Sequence, residues 1–158
     1  MNEEKLNKCY AKIAEKLDEM IPIEWDRVVL FAEEFGDVSS ANFYFYMKGK
    51  DKPILSSSIP DKFDVSEEIY DRLWRELIAI NRDLWIENKK EQQPWDIMIF
   101  YLDNDWKFKI EFEYEIDKEI DTYERLIRLA YNKLGIIPND DYAKELLQEY
   151  LVKLGKSL

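Results

Sequence analysis

The chain has 158 residues, 34 of them acidic and 23 basic, and this length predicts one domain spanning residues 1–158. Its net charge of −11 argues against nucleic acid or an anionic membrane as a direct ligand, because phosphates are bound by lysine and arginine patches. The charge favours a basic partner or simple solubility. With no histidine and one cysteine, the chain can build neither a histidine-dependent nucleophile nor a cysteine/histidine zinc site.

The N-terminal segment predicts an amphipathic helix. From Glu3 to Ile21, apolar side chains recur every three or four residues, and Pro22 ends the pattern. Acids interrupt the segment where a signal peptide needs an apolar core, and no apolar run approaches twenty residues. We therefore expect a cytoplasmic protein that does not contact membranes. The single Cys9, which cannot form an internal disulfide, fits such a reducing compartment.

Three strands are predicted next. A β-branched, apolar centre at Val28–Ala32 indicates the first strand, and residues 36–40 form a turn. Ala41–Lys48, aromatic on both faces, predicts a second strand antiparallel to the first. Ile54–Ser58 predicts a short third strand, beginning after a proline as edge strands often do.

A second helix follows the predicted loop Pro60–Asp64. Asp64 or Ser66 can serve as its N-cap, and broad apolar rows indicate a helix lying across a sheet. The polar segment Glu87–Pro94 predicts the loop that ends it. Three acids favour the first turn of this helix: Glu67, Glu68 and Asp71.

A β-hairpin is the clearest prediction in the chain. Trp95–Leu102 is the most continuous apolar run and indicates a strand covered on both faces. Asp103-Asn104-Asp105 predicts the turn, and Trp106–Ile116 alternates strictly between apolar and charged residues, as a half-buried strand does. The charged positions are Lys107, Lys109, Glu111, Glu113 and Glu115.

Two helices close the chain. Asp117–Leu134 has helical spacing, with Gly135 as its C-terminal stop. Asn139 or Asp140 caps the last helix. The order α-β-β-(β)-α-β-β-α-α predicts an α+β fold, with an antiparallel sheet of four to five strands packed against about four helices.

The candidate partner-binding surface is the acidic face of the hairpin, formed by Asp103, Asp105, Glu111, Glu113 and Glu115. Carboxylates two residues apart on one strand face lie roughly 7 Å apart and repel one another, and a cationic partner would relieve that repulsion. The alternative is a solvated face whose lysines and acids pair across strands. The acids Glu67, Glu68 and Asp71 form a second candidate patch.

An enzymatic interpretation has little support. Paired carboxylates can hydrolyse glycosides or hold magnesium, but they need a cleft and unequal environments, which a flat strand face does not provide. The scattered glycines exclude a P-loop and a dinucleotide-binding turn, so we expect no cofactor and no metal. Five tryptophans fall within apolar patterns and predict core packing, and any that is exposed would be an interface anchor.

Several stretches together resemble the YezG-like family. They are the aromatic F-Y-F-Y strand, Ile59-Pro60, the W-K-F-K-I-E-F-E-Y strand and the closing L-A-Y-N-K-L-G-I-I-P from Leu129 to Pro138. The similarity extends over nearly the whole chain and its motifs are structural rather than catalytic. Family members usually have glycine in the hairpin turn, where this chain has Asp103-Asn104-Asp105-Trp106.

The resemblance implies an antitoxin or immunity protein of Gram-positive bacteria, which binds and silences the nuclease domain of a toxin exported by the type VII secretion system. The expected partner is thus a basic toxin protein with a DNase domain, and not nucleic acid itself. A non-inhibitory adaptor or chaperone for an exported protein is the alternative. The free protein could be a monomer or a homodimer.

Overall fold

The computed structural model describes residues 3–158, which divide into two compact units. The first runs to Ile116 and the second comprises Asp117–Leu158. The α+β class and the antiparallel sheet are confirmed. That residues 1–158 act as one domain stays a prediction.

The first unit is built on an antiparallel sheet. Its strands pair in the order β3-β2-β1-β4-β5, so β5 is an edge strand beside β4. The charged side chains of Lys109, Glu111 and Glu113 along β5 make this edge a poor template for pairing with another chain. The described strands are β1 (Trp25–Phe35), β2 (Val38–Met47), β3 (Pro53–Leu55), β4 (Ile97–Asp103) and β5 (Phe108–Glu113).

Two long helices share one core with the inner face of the sheet. They are α1 (Glu3–Met20) and α3 (Glu67–Lys89), with the short α2 (Ile59–Phe63) preceding α3. The core includes Leu17 of α1, Leu77 of α3, and Phe43 and Phe100 of the sheet, all fully buried. The helices are also linked by Lys16, whose Nζ lies 2.9 Å from Glu76 Oε1. Within residues 3–158, no helix is both long and apolar enough to cross a membrane.

The second unit is a pair of helices, α4 (Thr122–Leu134) and α5 (Asp141–Lys153). Gly135 ends α4 with φ of 67°, the left-handed conformation that glycine adopts without steric cost. Asp140 caps α5 by accepting a hydrogen bond from the Tyr142 backbone N–H. Both predicted helix signals are therefore confirmed.

Several predicted boundaries are corrected by the structure. The predicted loop Pro60–Asp64 is largely helix α2, which accepts proline in its first turn, and Asp64 ends it with φ of 53°. Ser66, rather than Asp64, caps α3, and this helix runs three residues into the predicted Glu87–Pro94 loop.

The remaining corrections concern shorter or shifted elements. Strand β3 ends at Leu55 and continues as a 3₁₀ turn over Ser56–Ser58, while β2 begins at Val38, inside the predicted turn. The predicted helix from Asp117 starts only at Thr122, where Asp121 supplies the N-cap.

Candidate functional site

The turn between β4 and β5 is organised by Asp103. Its carboxylate accepts hydrogen bonds from the backbone N–H groups of Asp105 (2.9 Å) and Lys107 (3.0 Å). The Trp106 N–H donates to the Asp103 carbonyl at 3.0 Å and closes the turn. The predicted site residue Asp103 therefore holds the turn in shape, and it still contributes its negative charge there.

Trp106 lies outside the strand on which the sequence placed it. Its backbone has φ of 63°, and its side chain is 46% exposed. The indole is tilted by 56° relative to that of Trp25, with ring centroids 6.3 Å apart. The expectation that Trp106 packs in the core is therefore wrong, since a left-handed residue breaks the alternation that would have turned it inward.

Trp106 forms one wall of an open groove of about 710 Å³ at this end of the sheet, which we call the tip groove. The second wall is the connection from α1 into β1, and Lys48 from the β2–β3 turn adds a third. All three segments belong to the first unit. The lining residues are Asp18, Ile21, Pro22, Ile23, Glu24, Trp25, Asp26, Lys48, Asn104, Asp105 and Trp106.

Asp26 joins two turns next to the tip groove by accepting a hydrogen bond from each of them. Its Oδ1 accepts from Asn104 Nδ2 at 3.2 Å, and its Oδ2 accepts from the Gly49 N–H at 2.9 Å. Asp18 Oδ1 accepts from Trp25 Nε1 at 3.0 Å. None of these three donors carries a charge, so none of these hydrogen bonds pairs Asp18 or Asp26 with a cation.

The rim of the groove is exposed to solvent. Glu24 lies 3.4 Å from the Lys48 ammonium, and both side chains are well exposed, so solvent screens this pair. Among the residues that the structure describes, none donates a hydrogen bond to the Asp105 carboxylate. Ile23 adds an apolar side chain that is 42% exposed.

The acids of β5 are placed differently. Glu111 lies opposite Ile99 and Glu113 opposite Ile97, so these carboxylates share one face of the edge strand, as predicted. The Tyr101 hydroxyl donates to Glu111 at 2.5 Å. Burial and the adjacent Glu111 carboxylate raise the pKa of Tyr101 above its ordinary value, so this hydroxyl stays protonated and the pair stays bonded.

Glu115 does not share that face. Strand β5 ends at Glu113, and Glu115 is exposed with φ of 53°, so the predicted alternation stops before it. Glu111 and Glu113 pair with Ile99 and Ile97, which lie four and six residues along β4 from Asp103, a separation of roughly 13–20 Å. The structure thus divides the predicted acidic hairpin face into two clusters, with Lys107 and Lys109 between them.

The second predicted patch lies on another element. Glu67 and Glu68 are in the first turn of α3, where carboxylates interact favourably with the helix dipole. Glu68 and Asp71 line a shallow groove together with Arg72 and Arg75. Two arginines face three acids in this groove, whereas the lining of the tip groove has one lysine against four acids.

Sequence patterns alone did not identify Asp18, Ile23, Glu24 and Asp26 as candidates. These residues come together with the β4–β5 turn only in the folded first unit. The one local indication was an apolar Ile23 between Pro22 and Glu24, where a solvent-exposed linker would be polar. Across residues 3–158, no group of three or more histidine, cysteine or acidic side chains has a geometry suited to a metal ion.

Comparisons with known proteins place the chain in a family. Residues 6–148 match the family described as Immunity protein YezG-like. Immunity protein YezG of Bacillus spizizenii is 35% identical over 154 residues, which cover 96% of each chain. Immunity protein YezG of Bacillus subtilis is 33% identical over 145 residues, covering 90% of this chain and 96% of that protein. Type VII secretion system protein EsaG of Staphylococcus aureus is 31% identical over 151 residues, covering 93% of this chain and 92% of that protein. This chain therefore belongs to the YezG-like immunity protein family.

Proposed function

We propose that this chain is a cytoplasmic immunity protein that binds and inhibits a basic nuclease toxin exported by a type VII secretion system, with DNA as the toxin's substrate. The observation that carries the proposal is the family match over residues 6–148, together with relatives named for immunity and for type VII secretion. Inhibition of this kind uses no catalytic group and no cofactor of the immunity protein.

Charge supports the choice of partner. A nuclease is basic where it holds DNA, and a chain of net charge −11 can occupy such a surface with fast, electrostatically steered association. The acids proposed to face the toxin are those of the hairpin (Asp103, Asp105, Glu111, Glu113 and Glu115), with Glu67, Glu68 and Asp71 as a second patch.

The geometry supports different tasks for these acids. Asp103 is committed to its turn and Glu111 to Tyr101, so their contribution to binding is mainly their charge. Asp105 stands at the rim of the tip groove and can form a new ion pair. Ion pairs at such a rim mainly set association rate and salt dependence, whereas buried aromatic contacts set how slowly the complex dissociates.

The experiment is co-purification of this chain with the nuclease domain encoded beside its gene, followed by affinity measurements at low and high salt. We expect a stable complex whose affinity falls as salt screens the charges. Neutralising one patch at a time, with Asp105→Asn, Glu113→Gln and Glu68→Gln, then ranks the three surfaces. An affinity that does not change with salt would contradict the acidic-surface mechanism, and a complex that still cuts DNA would indicate an adaptor.

A further inference from the structure

We infer that the tip groove is the docking site for an arginine- or lysine-bearing segment of the toxin, with Trp106 as its central contact. This inference rests on the proposed function and adds to it the surface that binds and the chemistry that it recognises.

The first support is the way the fold displays Trp106. A large aromatic side chain is 46% exposed, at a backbone position with φ of 63° that glycine would occupy without strain. This conformation is unfavourable for a non-glycine residue, because its Cβ lies too close to the following carbonyl oxygen. Exposed tryptophans are strongly enriched among the residues that dominate binding energy at interfaces. Trp106 is thus a large aromatic side chain that the fold holds at the surface despite an unfavourable backbone conformation.

The second support is the charge around that indole. Asp18, Glu24, Asp26 and Asp105 line the groove, against Lys48 as its one cation among the lining residues. A guanidinium or ammonium group is attracted to the face of an indole and forms charge-assisted hydrogen bonds with carboxylates. The exposed Ile23 offers an apolar surface to the methylene stem of such a side chain.

The third support is rigidity. The turn that carries Trp106 is held by the two hydrogen bonds to Asp103, and it is joined through Asn104 and Asp26 to the neighbouring β2–β3 turn. A surface that is ordered before binding loses little conformational entropy when the complex forms. The groove is therefore suited to tight binding of a complementary loop.

The same charges argue against a second copy of this chain as the occupant. Two tip grooves facing one another would bring eight carboxylates into apposition, and like charges across an interface are unfavourable. A nucleic acid is repelled for the same reason. A cationic protein segment is the occupant that the chemistry favours.

Trp106→Gly tests the inference, because its melting temperature shows whether the variant still folds while its Kd shows whether the variant still binds. Glycine relieves the left-handed backbone, so the variant should unfold at a temperature close to that of the wild type or above it. Its Kd for the nuclease domain encoded beside the gene should nevertheless increase about tenfold or more, as for loss of a central aromatic contact. Tyr142→Ala is the matched control, because Tyr142 is 62% exposed in the second unit and should leave the Kd unchanged.

Asp105→Lys is a second, independent variant, since the Asp105 side chain forms no hydrogen bond or ion pair with any residue of 3–158. We expect at least a tenfold weaker complex and a smaller dependence of Kd on salt. If wild-type chain and nuclease domain form no complex, the proposed function itself is refuted, and this inference with it. If the wild type binds while both Trp106→Gly and Asp105→Lys bind equally well, the docking site lies elsewhere and the immunity function stands.

Discussion

Helix α3 buries two asparagines seven residues apart, and their surroundings differ sharply. Asn88 is 4% exposed, and its Oδ1 accepts a hydrogen bond at 3.0 Å from Nε1 of the fully buried Trp95. Asn81 is 1% exposed, and neither polar atom of its side chain has a hydrogen-bond partner among the residues that the structure describes. Leucine at these two positions should therefore have opposite effects on stability.

The magnitudes follow from hydrogen bonding. A buried polar group without a partner costs about 1–3 kcal/mol, and Asn81→Leu removes that cost while keeping a side chain of similar size. Asn88→Leu creates the same cost by leaving the Trp95 indole N–H without an acceptor. For a chain of this length each kcal/mol shifts the melting temperature by about 2–4 °C. Asn81→Leu should thus raise the melting temperature by roughly 2–12 °C, and Asn88→Leu should lower it by a similar amount.

Thermal unfolding followed by tryptophan fluorescence is the assay. All five tryptophans lie in the first unit, so the signal reports the unit that contains α3. If Asn81→Leu destabilised the protein as much as Asn88→Leu, the reasoning from unpaired polar groups would be refuted. The Asn81 amide would then contribute to stability by means other than protein hydrogen bonds.

Two further predictions concern a buried acid and a helix end. Glu34 is 4% exposed; burial raises its pKa although Ser39 donates to its carboxylate. The folded state therefore binds the proton of the Glu34 carboxyl more tightly than the unfolded state does. The free energy of unfolding should thus fall as the pH rises from the ordinary pKa of glutamate through the raised pKa of Glu34. Glu34→Gln should remove that fall in urea titrations between pH 4 and 8, and an unchanged profile would contradict the assignment. Gly135→Ala should destabilise α4 by about 1 kcal/mol, because φ of 67° strains alanine although no atom lies near the added Cβ. Hydrogen exchange of the α4 amides measures this loss, and Gly135→Asn, which tolerates the conformation better, should lose less.

Local signals in the sequence were enough to predict much of the fold. The spacing of α1, the apolar run of β4 and Gly135 as C-terminal stop are confirmed. Of the two predicted N-caps of α3, Asp64 and Ser66, the structure has Ser66. Each of these features depends on periodicity or on a single residue next to a helix end. Physical rules for such features need no knowledge of distant contacts.

The alternating stretch from Trp106 to Ile116 shows where pattern reading fails. The alternation shows which side chains are apolar, but it gives no information about the backbone angle φ. Residues with left-handed φ lie near both ends of β5, at Trp106 and Glu115. Only the part between them keeps the strand geometry. The extra turn of α3 was missed for a related reason, since the polar Asn88 is buried through its hydrogen bond with Trp95.

The tip groove could not be predicted from the sequence. It combines Asp18–Asp26 with Lys48 and with Asn104–Trp106, which are far apart in the chain. Their proximity is set by the order of strands in the sheet, and no local pattern records that order. The acids of the hairpin were visible in the sequence, but their separation into a turn cluster and a β5 cluster was not.

A DNA-degradation assay tests the immunity function most directly. The nuclease domain encoded beside this gene is mixed with increasing amounts of the purified wild-type chain, and the rate of DNA cleavage is followed, with denatured chain as the control. We expect cleavage to fall with added chain and to be abolished once the nuclease is saturated. Undiminished cleavage with the chain in saturating excess would contradict the proposed immunity function.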